Sequence, residues 1–172
     1  MSSIRAAKLS DAKNLAMLAE RTFRDTFSEQ NTHENMDAHC LASYGIEIQS
    51  HEICSSEHVT IVAEEDEKLV AYAQLRWGAA PSCVSGCAPG EIQRLYVDKH
   101  FHGKGLAHKL MEECLKILKE CDSDMAWLGV WEANPRAIAF YKKFNFKEVG
   151  DHVFPLGIDP QRDIIMTLSL KN

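Results

Sequence analysis

The residues best placed for chemistry lie in one run. Ile92-Gln93-Arg94-Leu95-Tyr96-Val97 passes through Asp98-Lys99-His100-Phe101 into His102-Gly103-Lys104-Gly105-Leu106-Ala107. The pattern predicts a strand, a polar loop with two glycines, and the start of a helix. The first turn of a helix leaves backbone N–H groups unpaired and carries partial positive charge. Glycines let that backbone approach a ligand closely. The chemistry that fits is anion binding, with a phosphate or pyrophosphate as the natural ligand. A second pair stands downstream: Asn134 and Tyr141 are seven residues apart, two helical turns and nearly one face. A phenol with a pKa of ~10 is protonated at neutral pH and suits a proton donor. Strict alternation puts Glu91 on the face of Gln93, Leu95 and Val97, which makes it a candidate base. The plain alternatives are a packed core tyrosine and a solvated glutamate at a strand start.

The elements that must position these groups follow from periodicity. Residues 3–8 read as a short strand, and Ser10-Asp11 as a cap for a helix carrying Leu15, Leu18, Ala19, Phe23 and Phe27. A second helical region covers roughly 34–55, in two pieces around Gly45. Val59–Ala63 and Leu69–Trp77 form a hairpin about the charged turn Glu64-Glu65-Asp66-Glu67. Residues 78–90 are turn-rich and predict a mobile loop. Leu106, Leu110, Met111, Cys114, Leu115 and Leu118 mark one face of a helix near 104–120. Met125–Trp131 is the next strand, and Asn134-Pro135 is a cap with proline at the first helical position. Phe146–Phe154 and Asp163–Leu170 close the chain as strands.

Composition bounds the function. With 172 residues and 45% hydrophobic content, one α/β domain spanning 1–172 has enough core to fold alone. No apolar run reaches the ~18 residues of a membrane span, and the N-terminus lacks a signal-peptide core. The six cysteines are scattered without CxxC or zinc spacing, so reduced cytoplasmic thiols and no metal are expected. A net charge of −6 argues against nucleic acid as a partner. The charge is also split. Asp25 to Glu67 holds eleven acidic residues and no Lys or Arg, while the remainder carries +5. The acidic stretch suits cations and the rest suits an anion, unless it is simply a solvated surface.

Two familiar phosphate motifs fail. The dinucleotide fingerprint needs GxGxxG and an acidic residue about 20 positions later, and the Walker loop needs GK[ST]. With Gly105 and Ala107 in the loop, and Asn134 and Tyr141 followed by Lys142-Lys143-Phe144-Asn145-Phe146, the chain resembles the GNAT superfamily of acetyl-CoA-dependent N-acetyltransferases over most of its length. That resemblance implies an α/β (α+β) fold with a central mixed, mostly antiparallel sheet of about seven strands and about four helices. The loop matching 102–107 reads Q/R-x-x-G-x-G/A in the family, so His102 is a departure and brings a group that titrates near neutrality. Asn145 replaces the usual glycine, a change that a left-handed helix terminus tolerates.

The implied roles follow residue by residue. His102, Gly103, Lys104, Gly105, Leu106 and Ala107 would wrap the pyrophosphate, with Lys109, His108, Lys142 or Lys143 near phosphates. Leu95, Tyr96, Val97 and Asn134 would follow the pantetheine arm, and the Val97 N–H would polarise the acetyl carbonyl. Tyr141 would protonate the departing thiolate, and Glu91 would serve as base, directly or through a water. Phe23, Phe27, Trp77 and Trp131 would line the acceptor pocket; each also reads as ordinary packing. Thr22–Phe27, Glu29-Gln30-Asn31, Glu34-Asn35-Met36 and Trp127–Glu132 look like the polyamine (spermine/spermidine) branch. The acidic stretch 25–67 would then recruit a polycationic acceptor. Transfer to another small-molecule or protein amine, and a coenzyme-A-binding regulator without turnover, are the alternatives. Dimers are common among such proteins, but no residue pattern here marks an interface.

Overall fold

The computed structural model describes residues 2–171. The chain runs β1 (Ser3–Ala6), α1 (Ala12–Phe27), α2 (His33–Ser43), α3 (Ile46–Cys54), β2 (His58–Glu65), β3 (Lys68–Trp77), β4 (Pro89–Val97), α4 (Leu106–Glu120), β5 (Met125–Trp131), α5 (Pro135–Lys143), β6 (Lys147–Leu156) and β7 (Asp159–Ser169). The strands form one seven-stranded sheet in the order β1-β2-β3-β4-β5-β7-β6. Only β4 and β5 run parallel; every other neighbouring pair is antiparallel. This is the mixed, mostly antiparallel sheet expected, with five α-helices among the described residues because the 34–55 region breaks at Gly45 into α2 and α3. Among the described residues no helix is long and apolar enough to cross a membrane.

Local chemistry explains the joints. The β2–β3 hairpin turns on Asp66 and Glu67, both at positive φ (50° and 60°). Such a two-residue turn matches the twist of its flanking strands. Asn145 ends the α5 region at φ 67°, the left-handed conformation an asparagine accepts. Asp11 does not cap α1 as expected. Its carboxylate instead accepts the Lys8 N–H at 2.7 Å and pairs with Arg5 at 2.7 Å. The 78–90 segment is shorter as a loop, because β4 begins at Pro89. It is also tied down: the Asp124 carboxylate accepts the N–H groups of Cys87 (2.8 Å) and Ala88 (3.0 Å).

Each face of the sheet buries its own core. Under α4 and α5 lie Leu110, Met111, Cys114 and Leu118 against Leu75, Ile92, Ala126, Leu128 and Met166. Under α1 and α2 lie Leu15, Leu18, Phe23, Met36, Tyr44 and Tyr72. Two irregularities in the middle of the sheet shape the site. The β3–β4 register jumps from Gln74↔Arg94 to Leu75↔Ile92, which leaves Gln93 as an extra, bulged residue. The β4–β5 ladder covers only Pro89–Glu91 against Met125–Trp127. Beyond it the two strands separate, and Ile92–Val97 has no ladder partner on its β5 side.

Candidate active site

Where β4 and β5 part, a cleft of ≈ 760 Å³ crosses the sheet. Its walls come from β4 residues 92–97, the loop and first turn of α4, the end of β5, α5, and the α1 and β6–β7 side. The unladdered edge of β4 offers main-chain donors and acceptors to whatever occupies the cleft.

The anion end is built by main chain. Gly103 and Gly105 both adopt positive φ (76° and 77°), and a Cβ at either would meet no heavy atom within 4 Å. The glycines therefore serve the backbone path and an open surface, rather than tight packing. Gly105 precedes α4, so unpaired N–H groups of the first turn face this space. Asp98 pins the loop from behind. Its carboxylate accepts the His100 N–H (3.0 Å) and pairs with Arg21 (2.8 Å). Burial alone would raise its pKa, but those two partners outweigh burial and hold it below the usual carboxylate range.

His102 has a structural task at this entrance. Its Nε2 lies 2.8 Å from the Val97 carbonyl and its Nδ1 lies 3.3 Å from the Arg136 guanidinium. A guanidinium only donates, so Nδ1 accepts and Nε2–H donates to Val97. One ring thus links the end of β4, the glycine loop and the first turn of α5. Arg136, Lys143 and His108 add basic groups to the same wall. His102, Gly103, Gly105, Leu106 and Ala107 all line the cleft; Lys104 does not, and its Nζ lies 4.7 Å above the Phe101 ring. These residues fit a coenzyme A pyrophosphate on the strength of that open, donor-rich loop.

Tyr141 and Asn134 come together as their spacing predicts. The Asn134 side chain accepts the Ala137 N–H at 3.1 Å, capping α5, and both residues line the cleft. Tyr141 packs between Phe140 (5.4 Å) and Phe146 (6.0 Å) on the α4–α5 side. Burial, helped by Cys114 nearby, pushes its pKa up to about 12, so the phenol keeps its proton. Leu95, Tyr96 and Val97 line the cleft as expected.

The opposite wall is aromatic. Phe23, Phe27, Trp131 and Phe154 line it, with the Phe27 and Trp131 rings meeting edge to face at 5.5 Å. Among the described residues, Asp163 is the one carboxylate lining the cleft. Burial raises its pKa, against the opposing pull of His152.

Besides Lys104, two predicted residues lie outside the cleft. Glu91 and Trp77 line a separate cavity of ≈ 270 Å³ with His58, Arg76 and Trp127. The bulge at Gln93 is the reason: it reverses the alternation, so residues before and after it no longer share the expected faces. Ile92 packs with Leu95 and Val97 in one core, leaving Glu91 on the other side of the sheet. There its carboxylate accepts both Nε and an NH₂ of Arg76. The Trp77 indole donates to Ser123 Oγ at 2.9 Å. None of the eleven acids of 25–67 lines the cleft. Several are already paired, including Asp25 with Lys99 (3.3 Å), Asp37 with Arg24 (2.7 Å) and Glu52 with Arg94 (2.9 Å).

Asp163, Arg136 and Gln93 are cleft residues that sequence reasoning did not single out. Asp163 carried a faint signal, as a lone acid opening the apolar run Ile164-Ile165-Met166. Arg136 carried another, as the second residue of a helix whose N-terminus was legible. Gln93 carried none, since its place follows from the bulge. Its Oε1 is buried without a partner among the described residues.

Comparison with known proteins agrees with this geometry. The model of the acetyltransferase (GNAT) family matches residues 17–146. An uncharacterized N-acetyltransferase of Lactobacillus delbrueckii subsp. lactis is 28% identical over 93% of this chain and 92% of its own. A probable spermine N(1)-acetyltransferase of Bacillus subtilis subsp. natto is 33% identical over 61 residues, 35% of this chain and 40% of its own. The crystal structure of PaiA N-acetyltransferase from Thermoplasma acidophilum, in complex with coenzyme A, superposes with a TM-score of 0.81 at 22% identity. That superposition covers 98% of this chain and 99% of the other. With its glycine loop, parted β4 and β5 and capped α5 in place, this chain belongs to the GNAT acetyltransferase family and is an acetyl-CoA-dependent N-acetyltransferase.

Proposed function

We propose that the protein transfers the acetyl group of acetyl-CoA to a primary amine of polyamine type, such as spermidine or spermine, by direct attack in a ternary complex. The observation that carries this reading is the two-sided cleft: Tyr141 stands on one face of the parted strands, and an aromatic wall with Asp163 on the other. Both substrates have room at once, one from each side. The glycine loop and the α4 N-terminus receive the pyrophosphate, and the free edge of β4 receives the pantetheine amides. The Val97 N–H polarises the thioester carbonyl, and Tyr141 gives its phenolic proton to the thiolate.

An alkylammonium with methylenes on either side suits the acceptor wall, because aromatic faces attract cations and cover apolar chain. The partial likeness to the probable spermine acetyltransferase supports that choice. Residues 1–172 act as one catalytic domain in this proposal, and six free cysteines support a reducing, cytoplasmic setting. The test is a thiol-release assay with acetyl-CoA across polyamines, amino acids, peptides and aminoglycosides. Spermidine or spermine should give the highest kcat/KM. A clear preference for a peptide or amino acid would overturn the polyamine assignment, and acetyl-CoA binding without thiol release from any amine would indicate a regulator.

A further inference from the structure

We infer that Asp163, backed by His152, is the group that takes the proton from the acceptor amine. The inference rests on the proposed amine acetylation and adds to it the residue that makes the nucleophile.

Placement comes first. Asp163 of β7 stands opposite Trp131 of β5 on one side and His152 of β6 on the other. Directly opposed residues in a sheet project to the same face, here the face on which Trp131 meets Phe27. That is the acceptor side of the cleft, across the parted strands from Tyr141. Gly129 makes the room: a Cβ there would lie 3.2 Å from Asp163 Oδ2 and 3.3 Å from His152 Nε2. The absent side chain leaves the Asp163 carboxylate open to the cleft where β5 has left β4, with His152 behind it.

The surroundings suit a base rather than a structural ion pair. Asp163 is 9% exposed, and among the described residues its one ionic partner is His152, at 3.7 Å. The adjacent Arg162 is occupied by Glu132 (2.9 Å) and Asp151 (2.8 Å) on the outside. Glu91, by contrast, sits in the fork of Arg76 and faces a separate cavity. Burial makes Asp163 a stronger proton acceptor than an ordinary carboxylate. His152 is 38% exposed at its side chain and opens a path to solvent. Among the described residues, the other titratable or charged groups near this wall are Tyr96, His39 and Arg94, whose guanidinium is held by Glu52 at 2.9 Å. Burial holds Tyr96 neutral, and His39, behind Phe23 and Phe154, stays neutral down to about 4.

The proton count closes. The ammonium gives one proton to the Asp163 carboxylate, and desolvation against the aromatic wall makes that easier. The neutral nitrogen attacks the thioester carbon, forming the N–C bond. When the C–S bond breaks, the sulfur takes the Tyr141 proton. Asp163 releases the first proton to solvent past His152 and then takes the second from the nitrogen. That second proton also leaves to solvent while solvent returns one to Tyr141, so one net proton reaches solvent per turnover.

The test compares wild type, Asp163→Asn and His152→Gln by steady-state kinetics from pH 6 to pH 10, with spermidine as acceptor. Asp163→Asn should lower kcat about 100-fold near neutrality and recover toward high pH, where the amine deprotonates unaided. Its KM for acetyl-CoA should stay within about twofold. His152→Gln should move the acidic limb of the kcat profile to higher pH, because His152 holds the Asp163 pKa down and its loss lets the carboxylate pKa rise. An Asp163→Asn enzyme as active as wild type, or depressed equally at every pH, overturns the inference while leaving the acetyltransferase reading intact. Should Asp163→Asn not fold, an unshifted His152→Gln profile overturns it alone. Absence of thiol release by wild type with every amine would overturn the function and this inference together.

Discussion

The two faces of the sheet are built by different means. Beneath α4 and α5 the buried core is mainly aliphatic, with an aromatic cluster of Phe140, Tyr141 and Phe146 at α5. Apart from the Tyr141 phenol, what it offers a ligand is backbone: the Gly103–Gly105 loop, the first turn of α4 and the free edge of β4. Beneath α1–α3 the interior is aromatic and polar. Arg94 reaches Glu52 (2.9 Å) and Gln74 (2.6 Å), its guanidinium lies 5.2 Å from the Tyr44 ring centre, and Gln74 in turn reaches Gln49 (3.0 Å). A nucleotide-like ligand is common to many proteins and needs only donors in a fixed path. An acceptor has to be distinguished, which needs side chains gathered from several elements. The first face therefore concentrates its information in short stretches of chain, and the second spreads it across α1, β4, β5, β6 and β7.

Perturbation of each face separates them. The largest effect is expected for Arg94→Met, which leaves the Gln74 side-chain carbonyl without its donor and the half-buried Glu52 carboxylate with Gln74 as its remaining partner. Urea unfolding should register a loss of about 3–5 kcal/mol, and a loss under 1 kcal/mol would show that the polar interior is dispensable. Next comes Tyr141→Phe on the cofactor face. Turnover should fall about 100-fold with acetyl-CoA affinity nearly unchanged, and unaltered kcat would remove the phenol from the reaction.

The third effect is pH-dependent and belongs to the acceptor face. Burial, with Arg94 nearby, lowers the His39 pKa to about 4 from an unfolded value near 6.5. The unfolded chain thus binds the proton first. The stability held above pH 6.5 is lost as pH falls toward 4, by an amount on the order of 1–2 kcal/mol with solvent screening. Melting temperatures taken at pH 7 and pH 4.5 should show that loss in wild type and less of it in His39→Phe. The smallest effect is expected for Glu91→Gln. It loosens a pair with Arg76 outside the cleft, so kcat should stay within about twofold at all pH values. A drop concentrated near neutrality would return Glu91 to the chemistry.

Much was legible in the residue order because it depended on contacts a few positions apart. The glycine loop, the Asn134-Pro135 helix start, the Leu110–Cys114–Leu118 stripe and the hairpin at Asp66-Glu67 are all local, and each stands where its residues predict. Tyr141 reached the cleft because two helical turns carry Asn134 and Tyr141 to one side. Glu91 failed for an equally physical reason. Alternation holds only while a strand keeps its register, and the extra residue at Gln93 is set by pairing with β3, not by β4 itself. The acidic stretch misled in the same way: charge along a chain says nothing of which partners fold against it.

By itself the sequence determined the two kinds of element and the anion loop between them, since backbone geometry and helix periodicity are decided within a turn or two. The tertiary structure alone decided where β4 leaves β5, which carboxylate enters the cleft, and which is bound away by an arginine. Those outcomes rest on strand pairing and burial between residues dozens of positions apart, where a one-residue shift exchanges one face of a strand for the other.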